Sequence, residues 1–222
     1  RSTRKRTSFP TRRSSDLMLL GYGEDALTLW ALTKGLPLFL QQLGDGTAPS
    51  ETTVFFRPSF GRKAPNPRGK KSVFGEFDGI VCSLEANYLV EGKWNKSSEL
   101  MESEITLSPV QIRRHEIMHW YYENWQQQDQ GDWGAFRDRN KRDFEEVFSG
   151  YTIPTGGTTL AKNLEYVLSV MRRKDFPLQD VLLYSSIDAM ATPSVVQQND
   201  LRFRLVTFRV RPVGGDGFIA IG

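Results

Sequence analysis

Residues 74–94 read FGEFDGIVCSLEANYLVEGKW. Val73–Cys82 and Tyr88–Trp94 are rich in apolar, β-branched and aromatic residues and flank the short segment Ser83–Asn87, so the stretch predicts two successive strands joined by a turn. Side chains two apart on a strand share a face. Glu76 and Asp78 are therefore expected to project together from the first strand, and Glu91 and Lys93 from the second. If the strands are neighbours, three carboxylates and one ammonium converge. Phosphodiester hydrolysis needs a divalent cation held by a few carboxylates, to stabilise transition-state charge and to acidify a water. Asp78 and Glu91 are the expected ligands, with the Gly92 carbonyl a candidate third. Lys93 is the expected group to position the water or neutralise developing charge.

The run FGEFDGIV, with twelve residues between Asp78 and Glu91, and then EGK in YLVEGKW, resembles the paired-strand signature of PD-(D/E)XK nucleases. It is most similar to the GEID…FVEVK pattern of small bacterial endonuclease-like proteins and archaeal Holliday-junction resolvases. The resemblance covers Phe74–Trp94 well. Two weaker matches extend it: GEDALTLWAL resembles the family's first helix, with Glu24 as its glutamate, and LSPVQIRRHE resembles the helix after the motif strands, with Gln111 and Arg114. The resemblance implies a restriction-endonuclease-like α/β sandwich with a central mixed sheet flanked by helices, an α-β-β-β-α-β core. It further implies a Mg²⁺- or Mn²⁺-dependent endonuclease acting on nucleic acid, DNA being the expected substrate. Asp78, Glu91 and Lys93 would be catalytic, Glu76 and Glu24 auxiliary acids with Glu24 toward the metal, and Gln111 a helix-borne helper. Gly92 departs from the pattern, where such families carry an aliphatic residue, as does the missing proline before the aspartate.

Working outward, Gly23–Leu36 has near-helical apolar spacing and predicts a first helix, with Gly35 placed to end it. Leu36–Ser50 extends or follows that helix before the loop Gly44–Ser50. Thr52–Phe60 predicts a strand that Pro58 confines to an edge or ends early. Ser108-Pro109 opens a helix expected to run to about Gln128, with Ser108 as cap. A short helical segment follows at Arg139–Phe148. Leu160, Leu164, Val167, Leu168 and Met171 form the stripe of an amphipathic helix over Thr158–Arg172. Asp180–Ser185 and Leu201–Val210 predict two more strands. This order reads as an α/β sandwich around a mixed sheet.

His115-Glu116-Ile117-Met118-His119 is an HExxH string on the predicted helix and holds the only two histidines of the chain. At i and i+4 both imidazoles can grip zinc with Glu116 as base, so a zinc metallopeptidase is the rival reading. Glu145 or Glu146 would supply its third ligand. Arg113 and Arg114 beside the string oppose a bound cation. Gln111, Arg114 and His115 share a helical face that suits a nuclease site, and Ile117, Trp120, Tyr121 and Trp125 form a stripe expected to pack inward. A nuclease-fold binding protein without activity is the third reading.

Ser8–Leu17, SFPTRRSSDL, resembles one translated frame of a widely used sequencing-library adapter. Residues 1–17 are therefore expected to be a non-native, disordered artefact, and residues 18–222 a single nuclease-like domain whose natural start is Met18 or has been lost. The formal charge of the whole chain is +3, but residues 1–17 hold six Lys/Arg and one Asp, leaving 23 basic and 25 acidic residues and a charge of about −2. Global charge thus gives no support to nucleic-acid binding. Local patches must supply it, and the acid-free loop Arg62–Lys71 offers Arg62, Lys63, Arg68, Lys70 and Lys71 for phosphate contacts, joined by Arg114. The single cysteine, Cys82, excludes internal disulfides and a Cys-based zinc site. No apolar run of membrane-spanning length is present, and the expected location is the cytoplasm.

Overall fold

The consecutive apolar residues Tyr88, Leu89 and Val90 let the strand Asn87–Trp94 bury both of its faces, at the centre of the molecule. Tyr88 and Val90 pack to one side with one apolar cluster, and Leu89 packs to the other side with a second. The computed structural model describes residues 20–61, 71–95, 100–101, 104–125, 129, 131–171, 176–187, 192–197, 200–213 and 218–221. Among these the protein is a mixed α/β structure with five α-helices and a five-stranded mixed sheet.

The described elements run β1 (Leu20–Tyr22), α1 (Gly23–Ala31), α2 (Leu36–Gln42), β2 (Thr53–Phe56), β3 (Ser59–Phe60), β4 (Gly75–Glu76), β5 (Gly79–Cys82) and β6 (Asn87–Trp94). They continue with β7 (Leu100–Met101), β8 (Glu104–Ile105), α3 (Pro109–Asn124), α4 (Trp133–Val147), α5 (Thr159–Val170), β9 (Leu178–Ser186), β10 (Ser194–Val195), β11 (Phe203–Arg209) and β12 (Phe218–Ala220). The main sheet has the order β11-β9-β6-β5-β2. β2, β5 and β6 form an antiparallel meander, while β9 and β11 join in parallel to β6. Parallel pairing requires a long crossover, and α3, α4 and α5 supply it between β6 and β9. Residues of α1 and α2 cover one face with Val81, Val90, Val181 and Val206; those of α3, α4 and α5 cover the other with Ile80, Leu89 and an aromatic cluster around Tyr121 and Phe136.

Several expectations from the sequence change here. The segment Val73–Cys82 is not one strand. Gly75 takes a left-handed φ of 115°, which an L side chain rarely adopts, and the chain leaves the ladder at Phe77 and Asp78. Glu76 consequently belongs to the β3–β4 pair and Asp78 to the approach to β5. Thr52–Phe60 ends early at Pro58, as expected, since proline lacks the N–H a continuing ladder needs, and β2 is the sheet edge. The helix expected near Arg139 starts earlier, at Trp133, capped by Asp132, whose side chain accepts from the Ala135 N–H. The helix from Ser108 ends at Asn124. The pairs β1–β12, β3–β4 and β7–β8–β10 have no counterpart in the sequence reading. No helix among the described residues is long and apolar enough to cross a membrane.

Candidate active site at the end of strands β5 and β6

Antiparallel pairing of β5 and β6 sets Gly79 opposite Val90, so Asp78 and Glu91 lie side by side just past the end of that ladder. The Gly92 N–H donates to Asp78 Oδ2 at 2.8 Å. Position 92 faces α1. A Cβ there would stand 2.4 Å from Thr28 Oγ1 and 3.6 Å from Asp78 Oδ2. The aliphatic side chain expected at this position is thus replaced by the buried Thr28, and glycine is what lets Thr28 approach.

Glu91 and Lys93 share the face turned to α3. Glu91 is buried, and nitrogen groups crowd it: Lys93 Nζ is 3.4 Å from Oε1, Arg114 Nη2 is 2.7 Å from Oε2, and His115 Nε2 is 3.8 Å from Oε2. Gln111 Nε2 also donates to Glu91 Oε1. Gln111 has a second function, because its Oε1 accepts from the Ser108 N–H at 2.8 Å while Ser108 Oγ accepts from the Gln111 N–H, a closed capping box at the start of α3. Lys93 Nζ lies 3.8 Å from Glu24 Oε1 on the first turn of α1. Arg57, between β2 and β3, binds both Glu76 and Asp25, and Arg114 donates to the Glu76 carbonyl.

Glu24, Glu76, Asp78, Glu91, Lys93, Gln111 and Arg114 thereby line one open cavity of about 430 Å³, together with Arg57, Gly75 and Ser108. Every catalytic or metal side chain expected for the nuclease is in it; those of the zinc reading are not. Of the expected phosphate contacts, Arg114 is present; Lys71 is exposed and does not line the cavity, and Arg62, Lys63, Arg68 and Lys70 lie outside the described residues. Arg57 was not foreseen. Its only sequence signal is the proline that follows it and breaks the strand. It holds a left-handed φ of 50°, uncommon for a residue with a side chain.

Burial pushes the Asp78 carboxyl up to about 7, reinforced by the neighbouring Glu91 carboxylate and opposed by the Gly92 N–H and Lys93. Burial acts on Glu91 in the same direction, but His115, Arg114 and Lys93 outweigh it and hold Glu91 well below the usual carboxylate range. Two adjacent carboxylates with proton affinities driven apart are a frequent property of reactive sites.

Among the described residues no group of three or more His, Cys, Asp or Glu side chains is gathered to hold an ion. The donor set at Asp78 and Glu91 is two carboxylates. That set suits magnesium or manganese, which are commonly held by one or two carboxylates and complete their shell with water and substrate phosphate. It does not make a closed zinc or calcium cage.

The HExxH imidazoles turn to a different partner. His115 Nδ1 is 2.6 Å from Asp180 Oδ1 on β9, and His119 Nε2 is 2.9 Å from Asp180 Oδ2. Glu116 pairs with Arg113 at 3.2 Å. Glu145 bonds Thr152, and Glu146 bonds Arg142.

No protein-family model, curated protein or solved structure matches the chain.

Proposed function

We propose that this protein is a metal-dependent nuclease that hydrolyses phosphodiester bonds in DNA, on a restriction-endonuclease-like core. The observation that carries the proposal is the convergence of Asp78, Glu91 and Lys93, from two adjacent antiparallel strands, on one cavity rimmed by Arg57 and Arg114. The order helix α1, strands β2, β5 and β6, helix α3 and strand β9 supports the proposed core.

Asp78 and Glu91 would hold the cation. Bound there, a Mg²⁺ or Mn²⁺ ion would stabilise charge on the pentacoordinate phosphorus of the transition state and acidify a water. Glu91, kept ionised by its cationic neighbours, presents a permanent negative charge, while Asp78 titrates near neutrality and gains its charge as a cation approaches. Lys93, braced between Glu91 and Glu24, directs an ammonium into the cavity, where it orients the attacking water or neutralises charge on the phosphoryl oxygens. Arg114 and Arg57 are placed to bind phosphate oxygens, as guanidinium groups do bidentately.

The test is cleavage of plasmid DNA by residues 18–222 with Mg²⁺ or Mn²⁺, beside Asp78→Asn and Lys93→Ala. Strand cutting by the native sequence that both substitutions abolish is expected. Equal cutting by all three, or none by the native protein with either ion, overturns the assignment; the latter outcome favours a binding protein on the same scaffold.

A further inference from the structure

The HExxH string, left unused by the nuclease chemistry, lies directly behind the candidate site. His115 is fully buried. One ring nitrogen, Nδ1, bonds Asp180 Oδ1 at 2.6 Å; the other, Nε2, makes no hydrogen bond and points to Glu91 Oε2 at 3.8 Å. The ring is gripped from both sides, edge-on to Phe77 at 5.0 Å and to Phe203 at 4.9 Å. Asp180, itself buried, is the neighbour of Leu89 in the β6–β9 register, so it points to the same side of the sheet as Glu91. His119, one helical turn on, closes the outer side of Asp180, with Nε2 at 3.1 and 2.9 Å from its two oxygens, and opens onto a second cavity of about 650 Å³.

We propose that His115 is a positioning residue for Glu91, its imidazole clamped by Phe77 and Phe203 and fixed in azimuth by the Asp180–His119 pair, so that Glu91 is held in the orientation in which it can serve as a metal ligand. The inference rests on the nuclease reading for what Glu91 does, but not for how it is held. A glutamate side chain has three rotatable bonds, and a ligand that moves by a fraction of an ångström loses its contribution. Polar partners behind a metal ligand that fix its orientation are the usual remedy. Here the order is Asp180, His115, Glu91, with the imidazole between the two acids. The i, i+4 spacing of His115 and His119 is explained by their common partner: one turn of α3 presents both rings to one carboxylate.

Two measurements decide it. The first is a double-mutant cycle of Asp180→Asn and Glu91→Gln on urea unfolding, repeated with His115→Phe, which keeps a ring between Phe77 and Phe203 but has no nitrogen. With His115 present, the effects on the folding equilibrium constant should depart from multiplicativity by at least about threefold, and with His115→Phe they should multiply within about twofold. Multiplicative effects in both backgrounds overturn the proposal. The second is Mn²⁺ binding to the DNA-free protein. Asp180→Asn should weaken it by about 10–100-fold, while Asp45→Asn, a distant substitution that also destabilises the fold, leaves it unchanged. Equal affinity in native and Asp180→Asn protein counts against the proposal, also where His115→Phe fails to fold. Native protein that takes up no Mn²⁺ refutes the nuclease reading alone, since the cycle still decides how Glu91 is held.

Discussion

The main-chain N–H of Gly92 donates to the carboxylate of Asp78 across the end of the β5–β6 ladder, at 2.8 Å. Position 92 has no side chain, and Thr28 of α1 fills the space a Cβ would need. Gly92→Val is expected to displace Thr28 and the strand end, costing about 1–3 kcal/mol of stability, the range for overpacking a filled interior, and to remove cleavage. Gly92→Ala combined with Thr28→Ala should recover most of the stability. Urea unfolding of the single and double variants checks this; equal stability of Gly92→Val and native protein refutes it.

Asp78 gives a pH signature. Its folded-state pKa of about 7 lies above the ordinary 3.8, so the folded protein holds a proton that the unfolded chain has released between those values. Stability is therefore lost as pH rises through that window. Asp78→Asn is expected to stabilise the protein at pH 8, on the order of 2 kcal/mol, and to have almost no effect near pH 4. The same proton competes with a cation, so Mn²⁺ affinity should rise from pH 5.5 to about 7 and level off above. Calorimetric titrations across that range read both slopes.

Arg114 occupies Glu91 Oε2 at 2.7 Å, where its charge stands against an incoming cation. Arg114→Gln is expected to tighten Mn²⁺ binding by up to about tenfold, the equivalent of one charge-assisted hydrogen bond, and yet to lower cleavage and DNA affinity, because the guanidinium is lost to the phosphate. Opposite movement of the two quantities is the signature. A parallel fall in both would place Arg114 in a purely structural position.

Away from the site, Asp45 joins the loop after α2 to the β5–β6 turn. Ser83 and Tyr88 donate to its Oδ2, and the Thr47 N–H donates to Oδ1 at 2.8 Å. Burial would raise its pKa, but these bonds prevail and lower it below 3.8. Its contribution is thus present above pH 3.8 and is lost as pH falls through the lower folded value. Asp45→Asn should cost about 2 kcal/mol at pH 7, and the gap to native protein should close under acid. Unfolding midpoints at pH 7, 4 and 2.5 test the trend.

Local patterning determined a good part of this protein. The two-residue period of the strand Tyr88–Trp94 put Glu91 and Lys93 on one face, because that period is fixed by backbone geometry. Ser108-Pro109 specified where α3 begins, and Leu160 to Met171 which side of α5 is buried, for equally local reasons. Pro58 announced the early end of an edge strand, and Gly75 a break that the strand pattern of Val73–Cys82 does not show. Tertiary structure alone decided the rest. Arg57 enters the cavity because the chain turns there, and Asp180 meets His115 across 65 residues of chain, through a parallel register that no local pattern encodes. The HExxH string is the clearest case: spacing made its two imidazoles neighbours, but only the placement of β9 beneath α3 determined that they share a carboxylate behind Glu91.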